Sequence, residues 1–334
     1  MAVYTAIDDP EAYFQVKIYA GDSTNHAITL DGDTDMSPNM VWIKERDDDI
    51  NHYLYDSVRG VGKRLQVNID NAEGDTDSTW FASFDSDGFS IGSEDNINDT
   101  GDNYVAWCWK ESATSGFDIV LYTGSGSART LSHSLSAVPH VMIVKCRSAG
   151  HHWNMYHHGN TSAPETDYLQ FNGTGATADD ATYWNDTAPT SSVFSVGTQD
   201  ETNENTETYL AYLFSEKQGF SKFGSYEGNG DVDGTFVYLG FRPAFVMVKP
   251  IDASDNWVMF DNKRPGYNSS VSPYLVYANE NYAESTDDDQ LELLSNGFKI
   301  RDAGNTVNRT STFIYMAFAE APFVNSNGVP CNAG

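Results

Sequence analysis

Cysteine is scarce in this chain. Three occur in 334 residues, Cys108, Cys146 and Cys331, in unrelated settings and with no spacing motif. A disulfide framework is excluded as the basis of the fold, and Cys108, inside an apolar run, reads as core. Basic residues are scarce too: 19 Lys and Arg against 48 Asp and Glu leave a net charge of −29. An envelope this acidic repels phosphate backbones, which argues against nucleic acid as a partner. It suits a protein that stays soluble at high ionic strength or loads divalent cations. No apolar run approaches the roughly 20 residues of a membrane span, so no membrane insertion is expected. The start, Met1 to Asp9, carries neither a basic nor an apolar targeting region and does not read as a secretory signal. Long Pro- or Ser-rich linkers and convincing amphipathic helices are also missing from the pattern.

Repetition is what the chain has in plenty. A unit of about 104 residues is written three times. Tyr19-Ala20-Gly21, Tyr122-Thr123-Gly124 and Tyr226-Glu227-Gly228 open the copies. A Pro-led apolar run, Pro38 to Lys44, returns as Pro139 to Lys145 and Pro243 to Lys249. Each copy closes on Tyr-x-Ala: Tyr104-Val105-Ala106, Tyr209-Leu210-Ala211 and Tyr315-Met316-Ala317. A lead (1–13) precedes units 14–110, 111–217 and 218–322, and a Gly/Asn/Pro tail (323–334) reads as mobile. Short connections favour units packed together over beads on a string.

The 27 glycines, the 13% aromatic content and short apolar runs between turn residues point to an all-β chain. We expect three tandem β-sandwich, jelly-roll-like repeats, compactly packed. Phe14 to Ile18, Phe117 to Leu121 and Phe236 to Leu239 read as strands. The Pro-led runs are apolar at successive positions, so both faces of those strands must be covered. One face serves the unit's own core, and the other is expected to meet a neighbour. Lys44, Lys145 and Lys249 read as the wet ends of these strands.

Chemistry can be tested against its own copies, since a single-copy active site should break the repeat. Gly88-Phe89-Ser90-Ile91-Gly92 matches a nucleophile elbow by letter but lies in a β pattern, so it reads as a turn entering a strand. Arg59-Gly60-Val61-Gly62-Lys63-Arg64 lacks a phosphate-loop pattern. Arg59 and Arg264 each follow an aspartate (Asp56, Asp261) by three residues and read as loop anchors; His157 and Asn160 replace them in the second copy. His151, His152, His157 and His158 crowd one strand, where His151 and His157 would sit about 20 Å apart, too far for one ion. Asp31, Asp33 and Asp35, Asp85 and Asp87, and Asp231 and Asp233 have the D-x-D spacing that hard cations favour, so they are candidate Ca²⁺ ligands. No Ser/His/Asp, Cys/His or paired-carboxylate set survives the comparison of copies. No catalytic residue and no resident cofactor other than that Ca²⁺ is therefore expected.

Asp56-Ser57-Val58-Arg59-Gly60, Phe84 to Phe89, Tyr104 to Lys110, Ala188 to Ser195, Gly219 to Tyr226 and Gly240 to Ala244 resemble a repeat family of marine bacteriophage virion proteins. The resemblance spans about residues 14–323. It implies a structural, tail-fibre-like virion component, made in the host cytoplasm without a signal, and carries no catalytic motif over. The resemblance defines no ligand, and its implied partners are other virion proteins of tail or capsid; apart from it, the threefold repeat makes a host-surface glycan an expected ligand through avidity, and a homo-oligomer, a trimer foremost, is expected. Only a short lead precedes the first unit, which departs from a fibre and leaves a tail-attached knob or a capsid decoration protein open. A polysaccharide depolymerase is the remaining alternative, with Asp47-Asp48 and Asp287-Asp288 as the pairs to mutate first.

Overall fold

The computed structural model describes residues 4–264, 274–286 and 290–331. It is an all-β protein. Among the described residues the helices are single turns, such as Asp95–Asn98, Asp200–Asn203 and Asn305–Asn308. The first large sheet orders Phe14–Ala20, Asn103–Trp109, Met40–Glu45, Tyr53–Asp56, Lys63–Gln66 and Gly74–Asp75. The second repeats that order with Phe117–Thr123, Thr208–Phe214, Val141–Cys146, Asn154–His157, Asp167–Gln170 and Ala178–Asp179. The third runs Ser221–Glu227, Thr312–Pro322, Phe241–Pro250, Val258–Asp261 and Val276–Tyr277. A small antiparallel sheet accompanies each: His26–Thr29 with Gly88–Ile91 and Phe81–Asp85, Arg129–Ser132 with Val193–Val196, and Phe236–Tyr238 with Gly297–Ile300 and Leu291–Leu294.

Alternation along the strands explains why both faces are apolar. Val41 and Ile43 point into the first sandwich with Phe81, Phe89 and Cys108. Met40 and Trp42, their alternates, join a core shared by all three segments. Met142 and Val144 against Val141 and Ile143 split the same way. At the centre of the shared core Phe14 stacks on Phe318 (centroids 5.1 Å apart), and Trp109 packs edge-on to Phe245 and Phe318. Each such ring contributes about 1.5–3 kcal/mol by leaving water.

The contacts between segments close in a ring. Backbone N–H groups of Glu73, Thr177 and Glu284 donate to the carbonyls of Arg147, Ile251 and Arg46, each at 2.8 Å. These link first to second, second to third, and third back to first. The Trp153 indole donates to Gln66 O (3.0 Å) and Trp257 to Gln170 O (3.1 Å). Tyr212 donates to Asp56 Oδ2 (2.6 Å), Trp107 to Asp261 Oδ2 (3.0 Å), and His157 Nε2 to Tyr315 O (3.1 Å).

Landmark residues have local reasons. The hydroxyls of Tyr19, Tyr122 and Tyr226 donate to the carbonyls of Ile97, Thr202 and Val307, and their rings stack on Tyr104, Tyr209 and Phe313. A Cβ at Gly21, Gly124 or Gly228 would come within about 2 Å of a facing carbonyl oxygen, so only glycine lets the two chains approach.

Three expectations need correction. Lys44, Lys145 and Lys249 are fully buried, not wet. Each ammonium donates to backbone carbonyls: Lys44 to Glu45 and Asp48, Lys145 to Asp70 and His151, Lys249 to Thr174, Pro250 and Ala253. Phe236–Tyr238 is a strand as expected, in a small sheet, and the outer counterpart of Phe14–Ala20 in the third segment is Ser221–Glu227. The closing landmark there is shifted: Tyr226 pairs with Phe313, and Tyr315 stands opposite Gly224, where earlier copies put Ala106 opposite Lys17 and Ala211 opposite Val120. A tyrosine fits because the facing residue is glycine. Finally, Asn325 to Cys331 are tied down by a Val324–Pro330 bridge and by Ser326, whose N–H donates to Asp8 Oδ1 at 2.6 Å.

Candidate functional site

The connection between the second and third segments floors a groove of about 380 Å³. The lead pins that connection: Ala6 N–H donates to Gln218 O at 2.9 Å, and the Thr5 hydroxyl packs on Gly219. Gly219 has φ +77°, and a Cβ there would lie 2.3 Å from Thr5 Oγ1, so a larger residue would push the lead away. Tyr4 and Tyr238, 50% and 54% exposed, stand at the walls. Lys222 Nζ donates to Tyr238 O (2.7 Å) and lies 5.7 Å from its ring centroid. Phe323 N–H donates to Gly240 O at 3.1 Å and fixes the tail as the last wall. Wet aromatic faces beside an ammonium, an amide and a carboxylate (Glu216) can stack on and hydrogen-bond a polar ring.

Glu216 at the groove edge also approaches two imidazoles. Ligand atoms of His140, His158 and Glu216 lie within 4.8 Å of one another. The imidazoles meet edge to face, centroids 4.5 Å apart. His158 Nε2–H donates to Phe223 O (2.7 Å), and His140 Nδ1 accepts the Glu216 N–H (3.1 Å). Burial, with His158 beside it, pushes His140 down to about 4, so it is neutral near pH 7.

The residues singled out by spacing lie elsewhere. Asp31 is shared between Lys17 (3.4 Å) and Lys263 (3.5 Å); Asp33 and Asp35 are exposed. Asp85 accepts from the hydroxyls of Ser83 and Ser90, and Asp87 from Met36 N–H. Asp231 caps Asp233 N–H, and Asp233 pairs with Lys299 at 2.7 Å. Among the described residues none of these aspartates joins a group of three convergent ligands. A second such group, Glu45, Asp48 and Asp102, includes one of the Asp47-Asp48 pair; Asp47 accepts from Asn103 N–H at 2.6 Å. Asp287 and Asp288 lie outside the described residues. Ser90 sits in the strand Gly88–Ile91 with its hydroxyl on Asp85, so the elbow is an ordinary strand entry.

Of the crowded histidines, His157 is buried and pushed down to about 3 by burial and the adjacent His158, with its Nε2–H on Tyr315 O. His151 turns away to Glu204 (2.9 Å). Arg59 and Arg264 are the anchors of charged junctions, described by their partners Asp56 and Glu73, and Asp261 and Glu284. The groove aromatics were not identified from the sequence, and only alternation in one strand could have signalled Tyr238. In Phe236–Tyr238 the pattern is exposed, buried, exposed, with both aromatics on the wet face, the reverse of ordinary sandwich patterning.

No curated protein matches the chain. One family model, described as a domain of unknown function (DUF7483), matches residues 9–322 and so spans all three segments as a single stretch. The chain belongs to the DUF7483 family.

Proposed function

We propose that this protein is a non-enzymatic bacteriophage virion component, a tail-attached knob or tail-fibre-like module, that adheres to host-surface glycan through the Tyr4/Tyr238 groove. The observation that carries the adhesion reading is the pair of exposed tyrosines beside Lys222, Gln218 and Glu216. Sugars present apolar C–H faces and a rim of hydroxyls, which such a mixture of rings and polar groups matches. The sequence resemblance supports the virion setting, and the acidic surface suits a particle facing saline water.

The test is glycan-array binding by the purified chain and by Tyr238→Ala. Saccharide binding that falls about tenfold or more in the variant supports the reading; binding to no glycan, or equal binding by the variant, refutes it.

The closed three-segment ring favours a second reading, a capsid decoration protein, because a stiff body with its apolar faces spent internally is suited to bracing a shell. Stabilisation of purified capsids without glycan binding would select it. The homotrimer belongs to the same proposal, and light scattering that returns the mass of one chain refutes that part. A depolymerase would instead release new reducing ends from host exopolysaccharide.

A further inference from the structure

We propose that His140, His158 and Glu216 form a site for one borderline divalent transition metal, with Zn²⁺ as the type ion. The first support is convergence. Three donors of the N,N,O type used by zinc lie within 4.8 Å of one another on three different chain elements. In a tetrahedral zinc site such atoms stand about 3.4 Å apart, so closure asks only for small rotations of partly buried side chains. Strand pairing sets the approach, because His158 N–H donates to His140 O at 2.8 Å.

The second support is preparation of the donors. His158 holds its Nε2–H on the Phe223 carbonyl, which fixes the ring and leaves Nδ1 as the lone pair. A backbone carbonyl behind a histidine is the usual way in which a ligating ring is oriented. His140 accepts the Glu216 N–H at Nδ1 in the metal-free protein, so its ligation through Nε2 requires that hydrogen bond to open and the ring proton to pass from Nε2 to Nδ1, leaving a neutral imidazole on the metal. His157 takes no part, since both of its nitrogens are engaged, with Tyr315 O and Gly159 N–H.

The third support comes from the repeat itself. The same backbone bonds place Asn39, Ser57 and Glu111 at the first junction, and Ala244, Asn262 and Glu320 at the closing one. At the first, Asn39 Oδ1 accepts Glu111 N–H at 2.9 Å, the task His140 Nδ1 performs for Glu216. Asn39 Nδ2 meets the Ser57 hydroxyl at 2.9 Å, where the second junction sets His140 against His158. An amide and a hydroxyl therefore satisfy the structural role. Replacing both with imidazoles beside a glutamate present in all three copies adds metal-binding capacity that the fold does not need. The site breaks the repeat, as a single-copy function should.

The repeat also supplies the test variant. His140→Asn with His158→Ser installs the first junction's own pair and should fold. Zinc binding is measured on the full chain by titration against a chromophoric chelator, with excess Ca²⁺ and Mg²⁺ to occupy hard carboxylate sites. We expect one zinc per chain, a rise in melting temperature on loading, and affinity about 100-fold or more lower in the double variant. Cobalt substitution should give visible d–d bands that the double variant lacks. Equal zinc affinity in both proteins, or no binding by the wild type, overturns the site. If the double variant fails to fold, Glu216→Gln with the same cobalt readout decides: unchanged bands overturn the proposal, weakened or shifted bands sustain it.

Discussion

Replacing Arg59 with asparagine would leave the Asp56 carboxylate buried without its counter-charge. Both side chains are fully buried, with Arg59 Nε 2.5 Å from Asp56 Oδ2. The guanidinium also donates to Glu73 Oε2 (3.2 Å), Lys63 O (3.3 Å) and Leu54 O (3.1 Å), and Glu73 continues to Arg147 of the next segment through two bonds of 2.9 Å. Breaking a buried pair from one side costs about 3–5 kcal/mol, because the survivor keeps its desolvation penalty. Asp56 would retain only the Arg59 N–H (2.8 Å) and the Tyr212 hydroxyl (2.6 Å). The ring contains its own neutral solution to the same problem. In the second segment His157 and Asn160 hold those positions, and Thr177 donates its hydroxyl to Asn160 Oδ1 at 2.6 Å. Asp56→His combined with Arg59→Asn should therefore recover at least half of the loss. The assay is equilibrium denaturation in urea, followed by tryptophan fluorescence and circular dichroism. A single-variant cost below about 1 kcal/mol, or a double variant no more stable than the single, would refute the assignment of strength to this charge pair.

Glu111 is raised to about 7, first by burial and then by a hydrogen bond with Asp118. A folded value above the unfolded one gives stability that is complete below about pH 4.5 and lost as pH rises through 7. Glu111→Gln should flatten that fall, by about 1–2 kcal/mol once partial solvent screening is allowed for, in melting curves taken from pH 4 to 8. Lys145 is lowered to about 8 by burial, so its charged form opposes folding, and stability grows between pH 8 and 10.5 as the proton leaves. Wild type should gain on Lys145→Met by up to about 1.4 kcal/mol per pH unit in that window; a constant difference would show that the lysine does not titrate there. Gly124→Ala places a Cβ 1.9 Å from Glu204 O and should lower the melting temperature, while Gly175→Ala, with nothing within 4 Å, should leave it nearly unchanged.

Much of the fold was legible because strand chemistry is local. Met40 to Ile43 read as covered on both faces from their succession alone, and alternate side chains do enter two different cores. Lys44, Lys145 and Lys249 misled because their partners are backbone carbonyls, and for Lys145 and Lys249 one of these belongs to another segment. A carbonyl has no letter of its own. Tyr315-Met316-Ala317 matched the earlier copies by letter but not by register, since Gly224 leaves room for a tyrosine where they have alanine. The site was harder. Tyr4 and Tyr238 come together only through the pinned lead, and the tract 151–158 drew attention to neighbours in sequence. The partner of His158 came instead from the Pro-led strand it folds back upon.

Closure of the ring carries a cost in time. Phe14, Trp107 and Trp109 find their aromatic partners in Phe245 and Phe318, which belong to the last segment. At translation rates of about 5–20 residues per second, Phe318 leaves the ribosome roughly 10–40 s after Trp109. Through that interval the nascent first segment can complete its own sandwich, but the part of its inward face that meets Phe245 and Phe318 stays wet. Two nascent chains that meet then can satisfy each other, so crowded synthesis favours swapped pairs unless the third segment arrives first.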